Sequence, residues 1–230
     1  MLITATSGFI SDLSEKNGVQ VKIIVSKSGN KYRFYLPGKN KIKFTQTRPD
    51  KKNDDVLLCI AAAFTKDNSV DGIYGIDGKV FQENNINFGL GGALKIANNK
   101  VDFLITRKGK IFDSVFLKKL IAEKASFFQQ LYLIVNGQPE VSKSKKTFQC
   151  RGIAKLKSGE LCVVESETAI TLQVFASDLA ECGNVNELIY TDMGSWDEGW
   201  YRSIDGKINR IGTNCMDTDK QTNWIIFFKN

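Results

Sequence analysis

The sequence of 230 residues predicts an α+β fold, in which a mixed, largely antiparallel sheet or sheets pack with two or three helices. Three observations predict it. Short apolar or alternating runs are separated by turns that contain glycine or asparagine, which is typical of antiparallel hairpins. Two longer segments instead repeat their apolar residues with the period of an α-helix. One continuous apolar run, Val56–Phe64, suits a strand that is buried on both faces.

Four hairpins are predicted from their turns, because glycine and asparagine adopt positive φ at little cost. In chain order they cover Val19–Pro37, Gly72–Phe81, Gly91–Ile105 and Cys150–Ser166. Their turns fall at Gly29-Asn30, Asp77-Gly78, Asn98-Asn99 and Ser158-Gly159. Three further strands are predicted within "LYLIVNGQP", "VNELIYTDMG" and the final "WIIFFK".

Two amphipathic helices are predicted between these strands. The first covers Asp113–Gln130, and either Asp113 or Ser114 is its N-terminal cap. The second begins at Thr171 and ends at Gly183. The sequence contains no repeat and no low-complexity linker, so residues 1–230 are expected to form one domain, with residues 1–45 as an N-terminal β extension.

Composition excludes several classes of function. The formal net charge is +7 and favours acidic ligands. However, the lysines are scattered, and the densest cluster, Val141–Phe148, lacks any nucleic-acid-binding motif, so we expect a solvated basic surface and no nucleic-acid partner. The chain has no histidine, which excludes Ser-His and Cys-His catalytic pairs and a zinc site built on histidine. No cofactor and no metal are expected.

The N-terminal residues do not resemble a signal peptide, and no apolar stretch has the length of a membrane helix. The protein is therefore expected either in the cytoplasm or outside it after removal of an export signal. The sequence indicates no oligomeric state. Five cysteines are widely spaced, and their pairing stays open.

The most informative stretch follows the predicted strand Val185–Gly194. This strand delivers Asp192 to its carboxyl end, where aromatic and acidic residues are concentrated in a glycine-containing turn. Ligand sites often lie at strand ends, because loops can surround a ligand on a rigid scaffold there. Arg151, at the start of the preceding hairpin, carries a planar guanidinium that suits phosphate or carboxylate.

The order of these segments resembles the phosphodiester glycosidase family. The resemblance rests on "AAAFTKDNSVDGIYGIDGKVF", on "LYLIVNGQP", on the arginine of "CRGIAKLKSGELCVVES" and on the strand end "LIYTDMGSW". It covers residues from Val56 to the C-terminus. Two departures mark a divergent member: Met193 replaces a glycine of the family's Asp-Gly-Gly-Gly-Ser, and "FTKDN" replaces "FNGGFF".

The resemblance implies hydrolysis of a sugar phosphodiester at the glycosidic bond, with a glycan or sugar phosphate as ligand. Asp192 would be the catalytic carboxylate and Arg151 the phosphate clamp. The implied substrate-binding residues are Thr65, Asn136, Gly137, Gly194, Ser195, Trp196, Asp197, Arg202 and Asn223.

Several of these residues have alternative roles. Asp197 and Glu198 are either second carboxylates or solvated turn acids, and with Asp192 they are conceivable ligands of calcium or magnesium. Trp196, Trp200 and Tyr201 either stack on a sugar or cover the core. The alternative function is a non-catalytic carbohydrate-binding or surface-polysaccharide protein that keeps the fold without the chemistry.

Overall fold

The computed structural model describes residues 18–141, 143–194, 196–213 and 216–230. The strands in this part of the chain are β1 (Gln20–Val25), β2 (Lys31–Leu36), β3 (Lys41–Thr45), β4 (Val56–Ala61), β5 (Thr65–Lys66), β6 (Ser69–Val70), β7 (Tyr74–Ile76), β8 (Lys79–Phe81), β9 (Gly92–Ala97), β10 (Lys100–Ile105), β11 (Ser126–Gln130), β12 (Tyr132–Val135), β13 (Gln138–Pro139), β14 (Arg151–Leu156), β15 (Leu161–Ser166), β16 (Val185–Tyr190), β17 (Gly199–Arg202), β18 (Ile208–Ile211) and β19 (Trp224–Phe228). The α-helices are α1 (Ser114–Ala122) and α2 (Leu172–Cys182), and a 3-10 turn covers Thr218–Lys220.

The strands form three main sheets. The large sheet has the order β1-β2-β15-β14-β16-β12-β13, a second has the order β10-β9-β11-β7-β8, and a third has the order β18-β17-β4-β19-β3. Strands β5 and β6 form a separate hairpin. Within the described residues, the named strands pair only in the antiparallel sense.

The predicted fold class is therefore wrong. The protein is a β-rich sandwich of antiparallel sheets with two short helices, rather than a balanced α+β fold with a mixed sheet. The main cause lies in Asp113–Gln130, which was predicted as one helix. Helix α1 ends at Ala122, and residues 126–130 form β11, whose five side chains are all buried. A surface helix needs an exposed polar face, and these residues have none.

The core lies between the sheets. Its largest cluster joins Ile153 and Ile189 of the large sheet to Ile60 and Ile225 of the third sheet and to Phe128 of the second. Helix α2 covers the other face of the large sheet, where Phe175 and other apolar residues pack. Helix α1 similarly covers the second sheet through Leu120. Each sheet thus has an apolar face that is removed from water, which is the dominant favourable contribution to folding.

The local predictions at the turns and caps are confirmed. Asp113 caps α1 by accepting a hydrogen bond from the Phe116 N–H, and Thr171 caps α2 by accepting one from the Val174 N–H. Each predicted hairpin is present and turns where expected. At the tightest turns, both central residues have positive φ, as at Asp77-Gly78 and Asn98-Asn99.

The first part of the described chain is joined to later strands. Strand β2 pairs with β15 in the large sheet, and β3 pairs with β19 in the third sheet. The predicted β extension over residues 1–45 falls partly outside the described residues. In the described part of the chain, neither helix has the length and apolar character to cross a membrane.

Candidate functional site

The candidate site lies at the carboxyl end of β16, where the polypeptide leaves the sheet. Asp192 follows this strand by two residues, and its backbone N–H donates to the Ala62 carbonyl just beyond β4 (2.9 Å). The Thr65 N–H points to the Asp192 carboxylate, with a distance of 3.3 Å to Oδ2. The end of the large sheet is thereby joined to the end of the third sheet. The sequence correctly placed Asp192 at a strand end.

Asp192 has the electrostatic character of a group that exchanges protons near neutral pH. Its carboxyl is partly buried, and burial raises its pKa from 3.8 to about 6. The negative charge of Asp197 raises the pKa further, while the N–H groups of Thr65 and Met193 and the charge of Arg151 lower it. A carboxyl with a pKa in this range suits general acid or base catalysis.

Thr65 and Asn223 are brought to Asp192, as expected from the resemblance. Asn223 is fully buried; its amide accepts from the Ala63 N–H (2.7 Å) and donates to the Ala63 carbonyl (3.2 Å). The Thr65 and Thr222 hydroxyl oxygens lie 3.0 Å apart, and the Asn223 Nδ2 lies 3.1 Å from that of Thr222. Asn223 therefore fixes the loop that carries the Thr65 N–H to Asp192.

Arg151 lies at the centre of a buried ion triad. Its Nε and Nη2 donate to Glu165 Oε2 at 2.8 and 2.7 Å, and its Nη1 and Nη2 donate to the two oxygens of Asp197 at 2.7 and 2.8 Å. The guanidinium is fully buried, and its carboxylate partners are nearly so. Bidentate arginine–carboxylate pairs of this kind fix geometry as well as charge.

This burial changes the role that can be assigned to Arg151. Its guanidinium has no surface exposed to a ligand and already binds two carboxylates. In this structure it cannot also clamp a phosphate, because that contact would require the triad to separate. Arg151 instead positions Asp197, whose charge acts on Asp192. Asp197 is accordingly a buried partner of Arg151 rather than a solvated turn acid.

The backbone of β14 brings Arg151 close to the end of β16. The Arg151 carbonyl accepts from the Thr191 N–H (3.1 Å), one residue before Asp192. The next residue of β14 is Gly152, where a Cβ atom would lie 2.6 Å from the Ile189 carbonyl oxygen. Only glycine permits this close approach of the two strands.

A cavity of about 440 Å³ opens at the segment that follows Asp192, although Asp192 itself is not among its lining residues. The two residues that follow Asp192, Met193 and Gly194, line it together with Asp197 and with five residues from neighbouring loops, namely Phe148, Gln149, Glu167, Ala169 and Thr213. Gly194 is thus placed at the cavity as expected. Ser195, predicted to bind substrate, lies outside the described residues.

The aromatic residues of the turn separate into two roles. Trp196 is partly buried, and its ring lies 5.9 Å from the Lys220 ammonium. Trp200 is buried in an apolar cluster with Cys59 and Trp224, so it belongs to the core. Tyr201 is also used in packing, because its ring contacts that of Tyr35. Only Trp196 remains a candidate for contact with a sugar.

The structure does not bring Asn136, Gly137 or Arg202 to Asp192. The Gly137 N–H donates to the Asn186 carbonyl, at the opposite end of β16. Asn186 and Asp192 are separated by six residues of extended chain, or about 20 Å. Arg202, expected to bind substrate, instead pairs with Asp54 (3.1 Å).

Two residues that the sequence reasoning missed take part in the site: Glu165 and Thr222. A signal for Glu165 was present. A hairpin that turns near Ser158-Gly159 brings Arg151 opposite Glu165 or Ser166, and the structure has the Glu165 register. A charged residue in the otherwise apolar "LCVV" strand needs such a partner. Thr222 had no comparable signal.

The acidic residues of the turn do not assemble a metal site. Glu198 accepts from Arg48 (2.8 Å) and lies 3.3 Å from the Lys51 ammonium, while Asp197 binds Arg151. Over the residues that the structure describes, no three Cys, Asp or Glu side chains are grouped as metal ligands would be. Cys59, Cys150, Cys162 and Cys182 are present as free thiols.

Comparison with known proteins identifies the fold and no activity. No family model matches the sequence, and no curated protein matches it. Ten chains of solved structures match the fold. One is a crystal structure of a hypothetical protein from Synechocystis, with a TM-score of 0.63 and 10% sequence identity over 92% of this chain and 62% of that chain. The chain thus spans less than two thirds of the length of that structure.

Proposed function

We propose that the protein hydrolyses the glycosidic bond of a sugar phosphodiester, with Asp192 as the catalytic carboxylate. The observation that carries the proposal is the position of Asp192. Its partly buried carboxyl lies at the end of a rigid strand, receives the Thr65 N–H and is followed by two residues that line a cavity of about 440 Å³. The resemblance of the sequence to phosphodiester glycosidases points to the same residue.

The chemistry suits a single carboxylate that acts as a base. In the reaction, the bond between the anomeric carbon and the phosphate oxygen breaks, and its electron pair leaves with the phosphate. Water adds to the anomeric carbon and gives its proton to Asp192. Phosphate is a good leaving group, so the acid assistance that most glycosidases provide matters less. Above pH values near 6 Asp192 is ionised and able to accept this proton.

Arg151 and Asp197 support this chemistry without contacting the reacting atoms. The charge of Asp197 raises the pKa of Asp192, and Arg151 fixes Asp197 in position. A base with a pKa close to the working pH combines a large ionised fraction with a strong affinity for the proton.

Cations for the phosphate are available in the chain segment that leads to the cavity. Lys143, Lys145 and Lys146 are exposed and immediately precede Phe148 and Gln149, which line the cavity. Together with the net charge of +7, they attract an anionic substrate and raise its local concentration.

The test is the hydrolysis of a panel of sugar phosphodiesters, beginning with one that contains N-acetylglucosamine. Asp192→Asn keeps the size of the side chain and is expected to lower kcat/KM at least about a hundredfold. In the wild type, the rate should rise with pH through about 6. Asp205→Asn, at an exposed turn, is the matched control and should keep wild-type activity. Equal activity in Asp192→Asn and wild type would disprove the assignment.

A second candidate function is the binding of carbohydrate without catalysis. The burial of Arg151 favours it, because the expected phosphate clamp does not face a ligand. Met193 in place of the family's glycine also favours it. This alternative predicts no turnover across the panel and the same glycan affinity in wild type and Asp192→Asn, measured by calorimetry.

A further inference from the structure

A second cavity, which we call the distal cavity, lies at the other end of β16. Its volume is about 420 Å³, within the range of sites for small ligands. Strand β10 and the turn after it form one side, and β12 and β16 form the other. Asn136 lines this cavity rather than the one beside Asp192.

The walls of the distal cavity combine apolar side chains with polar groups. Seven of its ten lining residues are aliphatic or aromatic. Phe103 and Tyr132 contact each other through their rings, and Phe116 of α1 faces the same space. Ile105, at the end of β10, lines the cavity and is 52% exposed, so it offers apolar surface to a ligand. An apolar ligand body would remove this surface from water.

The floor of the distal cavity is a fixed polar group. Glu187 accepts from the Tyr132 hydroxyl (2.5 Å), from the Asn186 amide (2.9 Å) and from the Asn136 N–H (3.3 Å). Three donors therefore surround this carboxylate. They satisfy its acceptor atoms and hold the Tyr132 ring and the Asn136 turn in place, so the cavity is formed before a ligand binds.

The rim supplies one cation that has no partner. Arg107 lines the distal cavity and is exposed, and its φ of 49° places it in a tight turn directly after β10. Over the described residues, its guanidinium makes no hydrogen bond or ion pair. The carboxylate of the same cavity, Glu187, is already occupied by its three donors. An arginine beside an apolar cavity is suited to a carboxylate or sulfonate.

We propose that the distal cavity is a binding site for a small organic anion with an apolar body, such as an aryl-substituted carboxylate. The apolar body packs between Phe103, Ile105 and Phe116, and the anionic group pairs with Arg107. The site is separate from Asp192 by about 20 Å along β16. It therefore does not depend on the proposed hydrolytic activity.

The first experiment compares phenylbutyrate with the neutral phenylbutanol by calorimetry on the folded protein. The two probes share their apolar body and differ in the anionic group. The acid is expected to bind about tenfold more tightly, because a charge-assisted hydrogen bond to arginine is lost in the alcohol. Equal affinity of the two probes, or no binding of either, would overturn the proposal.

Two variants and a control locate the site. Arg107→Gln should weaken the binding of phenylbutyrate about tenfold and leave the affinity for phenylbutanol unchanged. Ile105→Glu, at an exposed position, places a negative charge at the rim and should weaken the binding of phenylbutyrate still more. Lys110→Gln removes an exposed cation three residues from Arg107 that does not line the cavity, and should have no effect. Equal losses in Arg107→Gln and Lys110→Gln would show unspecific attraction and refute the site.

Amide NMR spectra show where phenylbutyrate binds, independently of its affinity. Phenylbutyrate should shift the signals of Ile105, Arg107 and Asn136 and leave that of Asp192 unchanged. Shifts confined to residues around Asp192 would contradict the distal site. Because hydrolysis is not measured, this test and that of the proposed function can fail separately.

Discussion

The two ends of β16 carry acidic residues in opposite circumstances. Near its beginning, the Glu187 carboxylate accepts hydrogen bonds from three donors. Beyond its end, the Asp192 carboxyl receives only backbone N–H groups, among them that of Thr65 at 3.3 Å. Burial, together with the negative charge of Asp197, raises its pKa to about 6.

One strand therefore carries two kinds of carboxylate. A structural carboxylate is held by hydrogen bonds, and a chemical carboxylate is able to exchange a proton. Several donors stabilise a charged carboxylate and fix its position, which uses its hydrogen-bonding capacity for structure. Few donors, partial burial and a negative neighbour leave a carboxyl that gains or loses a proton near neutral pH. We therefore expect changes at the Glu187 end to alter stability and changes at the Asp192 end to alter chemistry.

The largest effect is expected from breaking the ion triad behind Asp192. Arg151→Met removes the buried cation and leaves Glu165 and Asp197 without their partner. The free energy of unfolding should fall by about 3–5 kcal/mol, as for other buried ion pairs that lose one member. Chemical denaturation measures this change.

The control for this variant is Arg33→Met. Arg33 pairs with Glu167 at 2.9 Å, but both side chains are partly exposed. Solvent-exposed pairs contribute about 0–1 kcal/mol, so this variant should lose no more than that. Similar losses in the two variants would show that the triad is no more important than a surface pair.

The next effect is the contribution of Asp192 to the pH dependence of the free energy of unfolding. Burial, with Asp197, raises its pKa from 3.8 to about 6, so the folded protein binds this proton more tightly than the unfolded chain does. The resulting stabilisation is fully present below the unfolded pKa and is lost as pH rises through about 6. Relative to wild type, Asp192→Asn should therefore gain about 1–3 kcal/mol between about pH 4 and pH 7. Parallel stability curves for the two proteins would contradict the raised pKa.

Local features of the fold were predictable from the sequence, and long-range pairing was not. The turn at Asp77-Gly78 and the cap at Thr171 depend on residues a few positions apart. The position of β4 between β17 and β19 joins residues more than a hundred positions apart, and no local pattern encodes it. Phe127 and Phe128 suited a continued helix, but burial of both strand faces made them part of β11.

The candidate site was predictable to a similar extent. Asp192, Thr65 and Asn223 were found because each follows or precedes an apolar strand at the same edge of the fold. Asn136 was misplaced because β12 runs antiparallel to β16, which carries its turn to the far end. Strand direction in a sheet depends on tertiary pairing, so the sequence alone could not assign Asn136 to either end.

A smaller loss of stability is expected from a substitution at the Glu187 end of β16. Tyr132→Phe removes the hydroxyl that donates to Glu187 and keeps the ring that contacts Phe103. The free energy of unfolding should fall by about 1 kcal/mol, because two other donors still bind the carboxylate. Hydrolysis of a responsive phosphodiester should stay at the wild-type rate. A large loss of activity with unchanged stability would reverse the roles assigned to the two ends.

The smallest effect is expected from Asn136→Gly. Asn136 has a φ of 49°, which glycine adopts readily, and glycine keeps the backbone N–H that donates to Glu187. Because about 20 Å of strand separates this turn from Asp192, kcat/KM should change by less than about twofold. The double variant Asn136→Gly with Asp192→Asn should show the sum of the separate effects on the free energy of unfolding, since distant sites are additive within about 0.5 kcal/mol. Strong coupling between the two substitutions would mean that the ends of β16 act as one site, and the distinction between a structural and a chemical carboxylate would no longer hold.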